Sequence, residues 1–399
     1  MSQMLHDVQV LAGKIGPRGT GTSGEQAAAD YVAERLALHR PEVERHLFRA
    51  VSSQNAFPLA IDLVALLAVA LYWGGGAPGR WAGAVLALCT APMLWQTIRT
   101  STSPLRPLLP KVASSSVLAR IEPRREIRQH VVLLAHLDTN RCRIAWQSST
   151  VRSLEPLTYL TLAMLGSLGL LLLAGALLGG PTWVARAAVL PAGYCVGTVI
   201  TLWKDELQPY SPGAHDNASS VAVALEVGAR LAAQAPDVTQ VWLAFTGAEE
   251  TDHAGLYALL SRHGPVLRGA AFFGLEGMGS GELVYLTHQG LCAHYTPDAD
   301  LQALAEGVSA QRPDLKVRAA RMTQEDEVGT LRRLGYRAIC LAGRDAASGT
   351  LPHWHRPSDT AETVSDEFMG RAADLVMALV EALDKQALGL KEEDSCAHS

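Results

Sequence analysis

Six side chains able to bind a metal or carry a proton stand at or near the ends of apolar runs in this 399-residue chain: His136, Asp216, Glu249, Glu250, Glu276 and His355. Residues 131–135 are such a run and end in His136-Leu137-Asp138-Thr139. Residues 241–245 are a second, stopping at Thr246-Gly247-Ala248 just before Glu249-Glu250, and residues 270–275 are a third, running into Glu276-Gly277. Runs of this length read as strands buried on both faces of a parallel sheet, and open α/β sheets gather their chemistry outside the carboxyl ends of such strands. Asp216 lies just ahead of a helix predicted over 218–232, where Asp or Asn serves as an N-cap. His355 lies in the loop 352–360, after a further predicted strand at 338–341.

Two imidazoles and several carboxylates, without a thiolate, suit zinc or a similar borderline cation. An aspartate can bridge two ions, and a carboxylate left free of metal can act as a general base. Adjacent residues leaving a strand point in different directions, so one of Glu249 and Glu250 is expected to bind metal and the other to move protons. Each residue alone has a plainer explanation: core histidine, helix cap, turn acid or surface loop. Four of the six follow a strand or open the helix after one and are expected to converge on one edge of the sheet, a joint pattern that favours a shared site.

The elements that must position them alternate strand and helix. A capping box at Ser23 and Gln26 opens an amphipathic helix to about Leu38, and residues 43–51 alternate loosely as an edge strand would. Helices are also predicted at 256–261 and 366–383. The fold class is therefore α/β, a mixed, mostly parallel sheet flanked by helices.

Hydrophobic residues make up 48% of the chain and charged ones 18%, and the excess is concentrated in four runs, 57–73, 81–98, 157–178 and 183–203. Each approaches or exceeds the length that crosses a bilayer, and Tyr72, Trp73, Trp81, Trp95, Trp183 and Trp203 sit near their ends as interfacial aromatics do. Tight Gly/Pro turns join them in pairs, so they are expected to be two transmembrane hairpins, 56–99 and 154–204. Asp62 within the first is expected to make a polar contact between helices or at the interface. The expected catalytic unit comprises 1–52, 113–150 and 205–386, followed by a polar tail, 387–399. Ten basic residues between positions 99 and 152, against Arg80 and Arg186 in the hairpin loops, predict that every polar part lies in the cytoplasm, at a bacterial inner membrane. Residues 1–18 lack the apolar core of a signal peptide. A net charge of −5 gives no reason to expect nucleic acid as a partner. Six cysteines without C-x-x-C spacing suggest neither a disulfide framework nor a thiolate zinc site.

His136-Leu137-Asp138, Gly213-Ala214-His215-Asp216-Asn217-Ala218-Ser219, Gly247-Ala248-Glu249-Glu250 and His355 followed by Asp359-Thr360 resemble, in order and spacing, the co-catalytic zinc aminopeptidases. These are relatives of bacterial leucyl aminopeptidase, aminopeptidase S and glutamate carboxypeptidase, here in a membrane-anchored form. Pro17-Arg18-Gly19-Thr20 is similar to the family's opening. The resemblance implies two zinc ions bridged by Asp216, one completed by Glu250 and His355, the other by His136 and Glu276. It makes Glu249 the base, has Asp138 orient His136, and implies a peptide substrate beside the lipid bilayer.

Glu276 stands where the family commonly has Asp, His215 where it has Asn, and Ser220 where it has Gly. Tyr285, His288 and His294 are candidates to polarise the substrate carbonyl. The acidic stretch 322–329 has two readings, a holder of a free α-amino group or a solvated turn. Beside the exopeptidase stand two alternatives. One is other hydrolysis or glutaminyl cyclase-type chemistry on the same scaffold. The other is a non-catalytic membrane scaffold, which has no need to keep these acids and imidazoles together.

Overall fold

The structure is a computed structural model describing residues 2–39, 42–146 and 150–389. Eight strands form one sheet: β1 (Glu42–Val51), β2 (Lys111–Ile121), β3 (Gln129–His136), β4 (Thr239–Thr246), β5 (Ala271–Glu276), β6 (Glu282–His288), β7 (Arg318–Arg321) and β8 (Arg337–Arg344). Their order is β1-β2-β4-β3-β5-β8-β6-β7. β4, β3, β5 and β8 run parallel at the centre. The edge pairs β1–β2 and β6–β8 are antiparallel, as is β2–β4, while β7 runs parallel to β6.

Among the described residues, twelve α-helices accompany the sheet: α1 (Gln3–Val8), α2 (Ser23–Ala37), α3 (Ala56–Gly74), α4 (Gly76–Thr100), α5 (Leu154–Leu177), α6 (Thr182–Asp205), α7 (Ser220–Ala233), α8 (Glu249–Asp252), α9 (Ala254–His263), α10 (Ala299–Gln311), α11 (Glu327–Arg333) and α12 (Asp366–Leu388). Val131, Leu133, Leu243, Phe245, Phe273 and Ile339 face α1, α2, α7, α10 and α12. Val132, Leu134, Trp242, Phe272 and Cys340 face α9 and α11. Alternate residues of each central strand thus enter two separate cores, which is why these strands read as unbroken apolar runs. In α12, Phe368, Ala372, Leu375, Val376, Leu379 and Leu383 follow helical spacing and are buried. Each large side chain among them contributes about 1.5–3 kcal/mol on removal from water.

The two hairpins leave and re-enter this framework without disturbing it. Val51 pairs with Lys111, so the chain departs from β1 and returns to β2 at the same rung while α3 and α4 extend between them. α5 and α6 are inserted between β3 and α7. The four helical segments, the third reckoned from Val151, contain 19, 25, 27 and 24 residues with mean hydropathy of 2.0, 1.3, 2.2 and 1.4, long and apolar enough to cross a membrane. They pack through small residues. A Cβ on Gly83 would lie 2.4 Å from the Ala68 carbonyl oxygen, so only glycine allows α3 and α4 to approach this closely. Leu63, Leu67, Trp81, Leu170, Trp183 and Leu190 on these helices are exposed, and large apolar residues exposed in such number on one set of helices suit an interaction site or a membrane.

Some local expectations need correction. Thr22, not Ser23, caps α2, its hydroxyl accepting from the Glu25 N–H. α12 continues to Leu388, beyond the helix end predicted at residue 383. Residues 390–399 of the expected polar tail lie outside the described residues. Asp62 makes the polar contact expected between helices, accepting a 2.6 Å hydrogen bond on α3 from Thr198 of α6.

Candidate metal centre

The six residues meet at the carboxyl edge of the central strands. His136 is the last residue of β3 and Glu276 the last of β5. Beyond β4 the chain turns through Gly247, where a Cβ would lie 2.5 Å from the Ser115 carbonyl oxygen, and through Ala248 in a left-handed conformation, φ 53°. Glu249 and Glu250 then open α8. Asp216 comes from the loop before α7. There the Asp359 carboxylate accepts from the backbone N–H groups of His215 (2.7 Å) and Asp216 (3.2 Å). Asn217 fixes this loop to the end of β5, donating to Leu275 O at 2.9 Å and accepting from the Gly277 N–H at 3.2 Å.

Asp216 lies between the two imidazoles, with Oδ1 3.1 Å from His136 Nε2 and Oδ2 2.9 Å from His355 Nε2. His355 Nε2 is also 3.0 Å from Glu250 Oε1. His136 Nε2 has Glu276 Oε2 at 3.6 Å and Glu249 Oε2 at 3.9 Å. Two three-residue clusters, His136–Asp216–Glu276 and Asp216–Glu250–His355, share Asp216 and are each compact enough to hold one ion. His136 with Glu249 and Glu250 forms a third, overlapping grouping.

The protonation pattern fits a cation. His136 Nδ1 faces the Asp138 carbonyl oxygen at 3.0 Å. That oxygen only accepts, so Nδ1 carries a proton. Burial works to lower the ring's pKa, but Glu249, Glu276 and Asp216 raise it well above its ordinary value, and Nε2 faces the carboxylates of all three. A cation placed among them would take the place of the Nε2 proton and leave that nitrogen to ligate. Burial pushes the Glu249 carboxyl well above its ordinary range, with the neighbouring acids Glu250 and Glu276 adding to it, and pushes Glu276 to about 8. Burial also works to raise Asp216, but hydrogen bonds from His136 and His355 hold it well below the usual carboxylate range. For His355 burial works downward, and Glu250 and Asp216 reverse it to about 9. Four largely buried acids thus face two imidazoles, a donor set suited to a bound cation.

The residues around the set make contacts that the sequence did not reveal, and Asn140, His253, Trp146 and Trp354 were not foreseen at all. The Asp138 carboxylate lies 3.7 Å from His136 Nδ1. It accepts instead from the Glu249 N–H (3.0 Å), the Glu250 N–H (3.1 Å) and the Thr20 hydroxyl (3.0 Å). Asp138 therefore orients His136 through its backbone, and its side chain fixes where the Glu249-Glu250 pair begins. Asn140 holds Glu250 Oε2 at 2.9 Å. His253 is pushed down to about 3 by burial, with the charges of Arg333 and His136 adding to this, so it is neutral; its Nε2 lies 3.4 Å from Glu249 Oε1. Trp146 and Trp354 flank the His355 ring at 4.7 and 5.0 Å. His215 turns away from the centre, towards Asp359 and Ser280.

Among the described residues, none of Tyr285, His288 and His294 lines the cavity above the centre. Tyr285 is buried in the core, and His288 and His294 stack on each other. The solvated-turn reading of 322–329 is also corrected. Asp326 is buried, capping α11 through the Gly329 N–H and accepting from Gln289 Nε2 (2.6 Å) and the Tyr295 hydroxyl (2.7 Å). Glu327 is buried against Thr246. A further grouping, Glu44, His46 and His263, lies on β1 and α9, where Arg262 already pairs with Glu44 at 2.7 Å.

Asp138→Asn offers one carbonyl oxygen where two carboxylate oxygens accepted three donors, and its amide group would face an N–H. Zinc affinity is expected to fall about 10–100-fold, measured by competition with a chromophoric chelator. Unchanged affinity would reduce this carboxylate to a packing role.

No match was found among curated proteins. Residues 199–380 match peptidase family M28. Among solved structures, the chain is similar to a zinc aminopeptidase from Bacillus subtilis (14% identity, 96% of this chain and 94% of that one, TM-score 0.57). It is also similar to a Zn-dependent exopeptidase from Parabacteroides distasonis (12%, 95% and 97%, 0.55) and to the glutaminyl cyclase of Porphyromonas gingivalis (13%, 95% and 97%, 0.53). At these identities the likeness shows a shared fold, the zinc exopeptidase-like sheet with its flanking helices. The segment that matches peptidase family M28 is the one that supplies Asp216, Glu249, Glu250, Glu276 and His355, and with the shared fold it supports a zinc metallopeptidase.

Proposed function

We propose that the chain is a membrane-anchored aminopeptidase that uses two zinc ions. The observation that carries this is Asp216 set between His136 and His355, with one oxygen toward each. Asp216 would bridge the ions, His136 and Glu276 completing one site, Glu250 and His355 the other. Ions held there supply Lewis acidity toward a peptide carbonyl and lower the pKa of water. Glu249 takes the proton of the attacking water and returns it to the leaving amine. Neutral His253 stands beside Glu249, and Asp138 holds the backbone from which Glu249 projects. Glu325 lines the same cavity with Oε1 unpartnered among the described residues, an acceptor suited to the α-ammonium of a free N-terminus.

The catalytic unit of this reading is 1–52, 113–150 and 205–386, with α3 to α6 as bilayer hairpins and the unit on the cytoplasmic side. A C-terminal reporter active only outside the cytoplasm would reverse that orientation. For the chemistry, the purified full chain is expected to contain nearly two zinc per chain and to hydrolyse leucinamide but not its N-acetyl form. Absence of bound zinc, even after zinc is offered, rules the reading out. So does ammonia release from an N-terminal glutamine without cleavage of any peptide bond, which is cyclase chemistry.

A further inference from the structure

The cavity above the metal centre does not end at the sheet edge. Its volume is about 700 Å³, and its wall continues from His136, Asp216 and His355 into all four hairpin helices. The deepest wall residues are Asp62 on α3, Leu94 on α4, Leu165 on α5 and Tyr194 on α6. Leu165 lies eleven residues into α5, and Tyr194 eleven before the end of α6. At 1.5 Å per residue each is about 17 Å along its helix, roughly half of a 30 Å hydrocarbon layer. Asp62 and Leu94 each lie six residues from the nearer helix end, about 9 Å. The reacting centre and the interior of the bundle are one space.

We propose that this space receives the apolar residues of a peptide drawn from the bilayer, so that the chain trims short hydrophobic peptides. The proposal rests on the peptidase reading above and specifies its substrate class. Size excludes a membrane-spanning helix, since one about 10 Å across would fill 700 Å³ with only about six residues. An extended peptide of a few residues or one acyl chain would fit. The wall decides between them. Beside Phe57, Ile61 and Leu94 it is lined by Thr97, Thr158, Thr161 and Thr201. Each hydroxyl donates to a carbonyl one turn back in its own helix, and Thr161 also meets the Tyr194 hydroxyl at 2.8 Å; every one of these oxygens keeps a lone pair able to accept. A peptide at membrane depth must find partners for its backbone N–H groups, whereas an acyl chain has none to satisfy.

The test uses the full chain in lipid nanodiscs with leucinamide and a leucine-rich pentapeptide amide. The parent is expected to favour the pentapeptide in kcat/KM by at least roughly tenfold. Gly197 lines the cavity, and a Cβ there has no atom within 4 Å; Gly197→Phe is expected to lower that ratio by a similar factor. Independently of turnover and of that variant's folding, metal-free parent is irradiated with the pentapeptide carrying a diazirine at its third residue. Cross-links are expected within 157–165 or 194–202. A parent ratio near one, or cross-links confined to the sheet edge, overturns the proposal while leaving the peptidase reading intact. Hydrolysis of neither substrate overturns the peptidase reading, and the cross-links then decide the cavity's occupant alone. Cross-linking by a photoactivatable lauroylglycine and not by the peptide replaces the peptide with an acyl chain.

Discussion

Glu249→Gln is expected to retain its zinc and to lose about 10²–10⁴-fold in kcat, the range for removing a positioned general base. The substitution keeps the size and one acceptor oxygen but cannot accept a proton. Glu249 nevertheless sits in one of the three possible ligand groupings, 3.9 Å from His136 Nε2, only slightly farther than Glu276 at 3.6 Å. Distance alone does not separate base from ligand, whereas the substitution does. If Glu249 is the base, metal content stays the same, and kcat and kcat/KM fall together, because the lost interaction belongs to the transition state. If Glu249 is a ligand, zinc is lost with activity. Elemental analysis beside leucinamide kinetics separates the two, and full activity in the variant removes Glu249 from both roles.

What the sequence could reveal followed from burial. β3, β4, β5 and β8 are covered on both faces, so their apolar runs were unbroken and the acids and imidazoles at their ends stood out. β2 escaped notice because Ser114, Ser115 and Ser116 occupy its middle. Those serines are buried for a reason set far away in the chain: Ser114 donates to Glu25, and Ser116 accepts from the Gly247 N–H at the turn before Glu249. The acidic stretch 322–329 misled in the opposite direction. Charge density suggested water, but Tyr295, Gln289 and Thr246 supply the hydrogen bonds that make burial tolerable. Asp138 was expected to orient His136, whereas its carboxylate accepts from the Glu249 and Glu250 N–H groups and only its carbonyl oxygen meets the imidazole. A carboxylate that grips backbone N–H groups 111 and 112 positions later leaves no local pattern.

Arg18→Met is expected to destabilise the fold by about 4 kcal/mol, because it strips charged donors from several buried carbonyls at once. Arg18 is 1% exposed. Its Nε donates to Leu137 O at 2.8 Å, and its terminal nitrogens donate to Leu11, Gly16, Pro212 and Gly213 carbonyls at 2.8–3.1 Å. Burial pushes its pKa down to about 10, with Asp359, Asp138 and Asp216 opposing that shift, so the guanidinium remains charged at neutral pH. Leu137 separates His136 from Asp138, and Pro212 and Gly213 begin the loop that delivers Asp216. One side chain therefore joins the two segments that supply ligands to both proposed ions. Methionine fills much of the volume but supplies no donor. Thermal unfolding in detergent micelles is expected at a temperature lower by roughly 8 °C. Arg18→Lys should recover only part of the loss, since a point charge with three donors cannot reproduce a planar fork reaching five carbonyls. A loss below about 1 kcal/mol in Arg18→Met would mean that water can take the place of the guanidinium, and that Asp359 and Asn217 suffice to hold the Asp216 loop.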